Sequence, residues 1–199
     1  MANIEISSYD LFGQGKKNPG RAKKMQKILR TIYPLKSGPA YEMVSTSQPF
    51  KGSKVIGFFD GKSQPGSNYV DWRFKTTKNN IFAMYHERWV PVDTDRYDSY
   101  YLDRAYFHIY KLEDNRYPDS LKEFVCLHCD PNESDQEAHA MYKRVPHIHI
   151  KAAKEPIPHS HISLGIDFSE QVLESADTLF SSYESAIFLV KDEIFNRIL

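Results

Sequence analysis

The sequence predicts an α+β fold, with a mainly antiparallel sheet, an N-terminal basic helix and a long C-terminal amphipathic helix. A helical apolar period with a basic opposite face runs from Arg21 to Tyr33. Short apolar or alternating runs follow it, and a second helical period extends from Asp167 to Leu199. Because helices and strands are segregated along the chain rather than alternating, the pattern favours α+β over α/β.

The elements follow in order along one predicted domain, residues 1–199, whose first 20 residues are rich in Gly and Pro and are expected to be irregular. Pro34 ends the basic helix. Alternation and apolar runs predict strands at residues 54–59, 69–74, 81–85, 105–112 and 121–127. A short acidic helix from Asp130 to about Lys143 would carry His139, and the histidine-rich segments come next.

The composition is that of a folded, cytoplasmic protein. Of the 199 residues, 41% are hydrophobic and 14% aromatic, which is enough for a packed core. Two cysteines fit a reducing compartment better than a disulfide scaffold. No secretory signal is visible at the N-terminus, and no apolar run approaches the roughly 20 residues that span a bilayer, so no membrane contact is expected.

The charge is distributed unevenly although its net value is zero. Residues 1–80 hold 14 Lys and Arg against 5 Asp and Glu, whereas residues 81–199 hold 12 Lys and Arg against 21 Asp and Glu. Residues 16–36 contain no acid, and such a block is typical of contact with phosphate or another acidic surface. Lys23, Lys24 and Lys27 are therefore candidate nucleic-acid contacts. The alternative is a solvated helix face, or a basic half that neutralises the acidic half.

Four histidines occur in two closely spaced pairs, His147-Ile148-His149 and His159-Ser160-His161. Residues two apart on a strand point to the same side, so each pair presents two imidazoles on one face. A hairpin centred on Lys154 would place His149 opposite His159 and His147 opposite His161, with Cβ atoms about 4.5–5.5 Å apart. The expected result is a patch of four rings on one face.

Such a patch has two kinds of chemistry open to it. Neutral imidazoles bind divalent metals such as zinc, so all four histidines are candidate metal ligands. Without a metal they could act as acid and base, as phosphodiester cleavage through a 2′-hydroxyl requires. Lys143 and Arg144, just upstream, would then hold the phosphate. The alternative is a set of structural sheet histidines; His108 and His139 are further candidates for the same site.

Cys126-Leu127-His128-Cys129 has the spacing of redox motifs and of half a zinc site. The surrounding element order does not provide the βαβ units of a thioredoxin-like fold. If one strand runs through both cysteines, they lie on opposite faces, which favours packing over a shared site. Packing, zinc binding and redox chemistry all stay open.

The segments Arg144-Val145-Pro146-His147 and Pro158-His159-Ser160-His161-Ile162 resemble TumE-type toxins of bacterial toxin–antitoxin pairs. Those proteins carry a Pro-His segment followed about a dozen residues later by Pro-His-x-His. The resemblance covers residues 144–164, and the chain lacks the Asp-Asn that tends to precede the first Pro-His in that family. It implies an RNA-directed or growth-inhibitory activity and a partner antitoxin.

These observations lead to a functional hypothesis with two alternatives. The first is a histidine-centred nuclease or phosphodiesterase of a toxin or defence module, with His147, His149, His159 and His161 as catalytic residues. The second is a non-catalytic regulatory domain that binds nucleic acid through residues 16–36, or a protein or second copy through the C-terminal helix, with a structural histidine cluster. The third is a cupin-like metalloenzyme, against which the missing downstream Glu and glycine pattern counts.

Overall fold

A nine-stranded antiparallel sheet dominates the computed structural model, which describes residues 4–45, 51–60, 72–114, 121–132, 146–150, 160–163 and 175–196. The strands are β1 (Glu5–Ser7), β2 (Ala40–Ser45), β3 (Lys54–Phe59), β4 (Arg73–Lys75), β5 (Ile81–Pro91), β6 (Ser99–Leu112), β7 (Leu121–Cys129), β8 (His147–Ile150) and β9 (Ser160–Ser163). The helices are α1 (Ser8–Phe12), α2 (Gly20–Leu29) and α3 (Ala176–Leu189), and a π-helical segment, Val190–Phe195, continues α3.

Neighbouring strands are mostly consecutive along the chain, which is why the sheet is antiparallel. The order is β2-β3-β5-β6-β7-β8-β9, with β1 paired to β6 and β4 paired to β5. The long strands β5 and β6 form its centre and pair over most of their length. The predicted fold class is therefore confirmed: an antiparallel sheet with short N-terminal helices and a C-terminal helix.

The two faces of the sheet have different surroundings. On what we call the helix face, Tyr85, Trp89, Phe107 and Leu127 belong to one buried cluster with the apolar residues of α2 and α3. The opposite side, the histidine face, carries the alternate residues of the same strands: Met84, His86, Tyr106, His108, Tyr110, Cys126, His128, His147 and His149. The prediction that Phe107 and Ile109 oppose Tyr106, His108 and Tyr110 is confirmed.

A buried ion pair fastens α2 to the helix face. Arg21 donates through Nε and Nη2 to Glu87 at 2.7–3.1 Å, and both side chains are almost fully buried. Tyr85 and Trp89 also donate to the Glu87 carboxylate, at 2.5 and 2.8 Å. Arg21 Nη1 donates to the carbonyl of Ala176, the first residue of α3. Glu87 thus has an interaction with three side chains, and Arg21 links both helices to the sheet.

The N-terminal segment differs from the predicted irregular one. Residues 5–7 form β1 on the edge of β6, and Ser7 caps α1 through its side chain. The turn that joins α1 to α2 requires Gly13 and Gly20, whose φ angles are +76° and +72°. A Cβ atom on Gly20 would lie 2.6 Å from the Phe12 carbonyl oxygen, so only glycine lets the two helices approach this closely.

Several other elements differ in extent from their predictions: β6 begins at Ser99 rather than at residue 105, and α2 ends at Leu29, before the predicted end at Pro34. Strand β5 continues to Pro91, because His86 and Glu87 are accommodated on opposite faces of the sheet rather than ending the strand. Helix α3 begins at Ala176, not Asp167, since Ser175 has extended backbone and forms a capping box with Thr178. Predicted elements at residues 69–71, 133–143 and 167–174 lie outside the described residues. No helix in the described ranges has the length and apolar character to cross a membrane.

Candidate metal centre and adjoining cavity

Three neighbouring strands place histidines and a cysteine in two rows across the histidine face. In one row His108 of β6 pairs with Cys126 of β7, which pairs with His149 of β8. In the next row Tyr106, His128 and His147 are partners across the same strands. Each strand contributes alternate residues, so the antiparallel register alone brings these side chains together.

The imidazole nitrogens of these rows are very close to one another. His147 Nε2 lies 2.7 Å from His149 Nε2, and His128 Nε2 lies 2.8 Å from His108 Nε2. The rings of His128 and His149 are 4.3 Å apart between centroids. Two groups of metal-ligand atoms result, each within 4.8 Å: His108, Cys126 and His128, and His128, His147 and His149. We call these five residues the His/Cys cluster.

The donor set of this cluster fits a zinc-type ion. Imidazole nitrogen and cysteine sulfur are the ligands that zinc prefers. With Zn–N bonds of about 2.0–2.1 Å, tetrahedral geometry places two nitrogens roughly 3.3 Å apart. The observed 2.7 and 2.8 Å separations would have to widen by roughly half an ångström, which small ring rotations supply. His147 is fully buried and Cys126 nearly so, which shields such a centre from water.

Acidic and hydroxyl groups surround His108. Its Nδ1 lies 3.1 Å from the Tyr110 hydroxyl and 3.4 Å from a carboxylate oxygen of Glu123. The Cys126 thiol also donates to Glu123. A carboxylate on the second ring nitrogen is the usual partner of a metal-binding histidine, because it fixes the ring and its tautomer. Glu123 is in this position for His108.

The environment keeps two histidines of this face uncharged. Burial, reinforced by the positive potential of His108, His149 and His147, lowers the pKa of His128 from an ordinary 6.5 to about 2. Burial lowers the pKa of His86 to about 3, with smaller contributions from His108, Arg104 and Arg88. Neutral imidazole has the lone pair that a metal requires, so no proton has to be displaced from His128 at neutral pH.

A cavity of about 270 Å³ adjoins the cluster on the β5–β6 side. His108 belongs to both, since its ring is a member of the cluster and part of the cavity wall. The other polar residues that line the cavity are Arg73, His86, Arg104, Tyr106 and Tyr110. A ligand in this cavity would therefore lie beside the His/Cys cluster.

Two of the four predicted catalytic histidines, His147 and His149, belong to the His/Cys cluster. Backbone pairing places His161 opposite His149 and Ser163 opposite His147. The hairpin is thus centred on Glu155 rather than Lys154. The predicted pairing of His149 with His159, and of His147 with His161, is wrong by two residues. A shift of two preserves the face of each residue. His159, Lys143, Arg144 and His139 lie outside the described residues.

The predicted basic contacts lie on the other side of the sheet. Lys23, Lys24 and Lys27 project from α2, which packs on the helix face through Ala22, Met25, Ile28 and Leu29. The sheet separates these lysines from the His/Cys cluster. They can contact a partner along α2, but they cannot hold the same phosphate as His147 and His149.

Sequence reasoning missed His128 and gave His86 no role. His128 was part of the cysteine motif, where its own spacing was not used. The pattern that identifies it is the repeated alternation of Tyr106-x-His108-x-Tyr110, Cys126-x-His128 and His147-x-His149. Three strands with metal-binding residues at a spacing of two indicate one shared face, although only the register shows that they are neighbours.

The two cysteines lie on opposite faces, as their spacing on one strand predicted. Cys126 is in the His/Cys cluster, whereas Cys129 is packed in the core of the helix face. Neither forms a disulfide, and burial raises the pKa of Cys129 well above its ordinary value. A joint site of the two cysteines, redox or zinc, is therefore excluded by the direction of their side chains.

Comparison with protein-family models, curated proteins and solved structures finds no match to this chain. The fold is consequently described on its own terms.

Proposed function

We propose that this protein is a metal-dependent phosphodiesterase that acts on nucleic acid, with a zinc-type ion bound by His128, His147 and His149. The observation that supports it is the group of three imidazole nitrogens within 4.8 Å beside a cavity with arginines in its wall. Three protein ligands leave a fourth position for water or substrate, which is typical of catalytic rather than structural zinc.

The residues of this chain would divide the work of hydrolysis. A bound zinc ion supplies a Lewis acid and a water of lowered pKa. In phosphodiester hydrolysis a water would form one P–O bond as the bond to the leaving oxygen breaks; the water would give up a proton and the leaving oxygen would take one up. His108 Nε2, 2.8 Å from His128 Nε2, is placed to hold or deliver a proton next to the metal ligands. Glu123 orients His108 through Nδ1.

A second candidate is a non-catalytic domain that binds nucleic acid or an acidic protein, in which the His/Cys cluster is structural. The observation in its favour is that Lys23, Lys27 and Arg30 are exposed on α2, away from the cluster. The complete burial of His147 also fits a structural metal. A toxin-like activity on RNA, as the resemblance to TumE-type toxins implies, agrees with the first candidate, and a partner antitoxin agrees with both.

Zinc titration and RNA cleavage of a ligand variant distinguish the two candidates. We expect His149→Ala to weaken zinc binding by roughly 100-fold or more, because loss of even an outer partner costs about 10–100-fold. RNA cleavage should disappear with it, whereas circular dichroism should show a folded protein. His86→Ala is the matched control for zinc binding only, since it removes a buried histidine of the same face that is outside both ligand groups but lines the adjoining cavity.

The possible results distinguish the metal-dependent enzyme from the non-catalytic binding domain. Zinc binding that both variants retain would exclude the metal site. Zinc bound at one ion per chain, without cleavage of RNA by the wild-type protein, would favour the second candidate. In that case Lys23→Ala combined with Lys27→Ala should abolish RNA binding, and His149→Ala should not.

A further inference from the structure

The cavity beside the His/Cys cluster combines positive charge with small size. Of the described residues that line it, Arg73 and Arg104 carry a permanent positive charge and none is acidic. Arginine presents several N–H donors in a planar fork that matches the oxygens of a phosphate. The lining therefore favours an anion over a neutral ligand or a cation.

The strand register places the two arginines at opposite ends of this cavity. Arg73 of β4 pairs with Met84, which pairs with His108, so Arg73 lies in the same row as a member of the cluster. Arg104 pairs with Arg88, two rows further along. Each row spans two residues, about 6.6 Å, so Arg73 and Arg104 are offset by roughly 13 Å along the strands. They are also two strands apart, at about 4.8 Å a strand, so their backbones are roughly 16 Å apart. Their side chains approach an occupant of the cavity from two directions.

The acids that adjoin the cavity wall are each engaged by other groups, and Asp130 accepts a hydrogen bond from Tyr106 at 2.5 Å. Asp103 pairs with Arg88 at 2.5 Å and with Nε of Arg104 at 2.8 Å, so one acid is shared between two arginines. Nε is only one of the donor groups of the Arg104 guanidinium. Glu123 is engaged by His108 and Cys126. The Arg104 side chain is 35% exposed and stacks near Tyr106, with its guanidinium carbon 5.8 Å from the ring centroid.

The size of the cavity limits what can enter. Pockets that enclose drug-sized ligands measure about 300–1,000 Å³. At about 270 Å³, this cavity matches one phosphate with a small attached group better than several nucleotides. The end of a longer chain fits it best.

We propose that this cavity is a binding site for a terminal phosphate, a phosphate monoester, held between Arg73 and Arg104 next to His108. The site rests on the proposed function in one respect only: a substrate phosphate here would lie beside His108, whose Nε2 is 2.8 Å from the proposed metal ligand His128. As a site for the anion itself, it depends on the arginines and on the cavity, and it requires no bound metal.

Isothermal titration calorimetry of the full chain with inorganic phosphate tests the site. The ionic strength is kept constant and a chelator is present. Arg73→Gln and Arg104→Gln should each weaken phosphate binding by about tenfold or more, because each removes a charge-assisted contact. Arg104→Lys should recover part of the loss. Arg30→Gln on α2 is the matched control, since it removes the same charge from the opposite side of the sheet.

The result is independent of the test for the metal. His149→Ala should bind phosphate within about twofold of the wild type, because it removes neither arginine. If phosphate binding depends on Arg73 and Arg104 while no zinc binds, the anion site stands and the proposed function fails. Phosphate binding that is absent in the wild type, or unaffected in both glutamine variants while thermal melts show them folded, would overturn the site.

A second measurement tests whether the site recognises the terminal phosphate of an oligonucleotide. With zinc present, Arg104→Gln should raise KM for an oligonucleotide that carries a terminal phosphate, and change KM little for the same oligonucleotide with a terminal hydroxyl. Equal effects on both substrates would show that Arg104 does not recognise a terminal phosphate.

Discussion

The helix face and the histidine face belong to the same strands, yet they have opposite chemistry. On the helix face, aromatic and aliphatic side chains enclose one ion pair, in which Glu87 and Arg21 satisfy each other with help from Tyr85 and Trp89. On the histidine face, potential metal ligands approach one another to 2.7–2.8 Å beside a cavity. One strand, β5, contributes Glu87 to the first face and His86 to the second.

This difference shows how the sheet separates stability from chemistry. Alternate residues of β5, β6 and β7 pack against the helices, which leaves the residues between them available for a site. Burial serves different ends on the two faces: it encloses a satisfied charge pair on one and keeps imidazoles neutral on the other. Substitutions on the two faces should therefore have distinguishable effects on stability and on binding.

The largest effect on stability should come from breaking the buried ion pair of the helix face. Glu87→Leu leaves the Arg21 guanidinium charged without its carboxylate, and we expect the free energy of unfolding to fall by about 3–5 kcal/mol. Urea denaturation followed by circular dichroism measures it. The double variant Arg21→Met with Glu87→Leu should recover much of that loss, since an apolar replacement removes the uncompensated charge.

A single variant as stable as the wild type would contradict this account of the helix face. The comparison predicts in addition that any folded fraction of the Glu87→Leu protein binds zinc like the wild type, because Glu87 points away from the His/Cys cluster.

The next effect is a pH dependence of stability that arises on the histidine face. His86 has a pKa of about 3 in the folded protein and an ordinary 6.5 when unfolded, so the unfolded state binds more protons below pH 6.5. The stabilising contribution of the neutral ring is complete above that pH and is lost as the pH falls towards 3. Between pH 6.5 and 5, His86 should reduce the free energy of unfolding by roughly 2 kcal/mol.

Chemical denaturation of metal-free protein at several pH values measures this slope. His86→Gln should remove the contribution of one proton to the slope of the free energy of unfolding against pH, which is about 1.4 kcal/mol per pH unit. Superimposable pH profiles for the variant and the wild type would show that His86 is not buried in its neutral form.

The smallest effect is expected on the outer surface of α2. Lys24 lies 3.9 Å from Asp177, and their side chains are 37% and 88% exposed. Water screens such a pair, so Lys24→Ala should change the free energy of unfolding by no more than about 1 kcal/mol. The same denaturation assay applies, with Lys27→Ala as the control for loss of one exposed charge. A markedly larger loss for Lys24 alone would mean that the outer surface of α2 contributes to the fold.

The sequence could predict much of the architecture because periodicity and turn residues act locally. The apolar period of Arg21–Tyr33 predicted α2, and the runs 54–59 and 105–112 predicted β3 and part of β6. Boundaries were less accessible. In the sequence, the charge of Glu87 predicts that the strand has ended. In the structure, an ion pair with Arg21, 66 residues away, allows Glu87 to be buried within β5.

Four of the five residues of the candidate site were also within reach of the sequence. His147 and His149 were identified by their spacing, and Cys126 and His108 were named as candidates for separate reasons. His128 was not, since its spacing from Cys126 indicates a shared face only together with the same spacing on the neighbouring strands. The register of β6, β7 and β8 unites these residues, and that register results from pairings along the whole sheet.

The sequence by itself determined which residues share a face, because the period of two on a strand follows from backbone geometry alone. It also determined that Cys126 and Cys129 point in opposite directions. Only the tertiary structure decided which strands are neighbours, and thereby that His108 and His128 join His147 and His149. It likewise decided that α2 covers the opposite face, which separates the basic lysines from the cluster. Strand order and helix packing depend on the burial of the whole core, and no short segment contains that information.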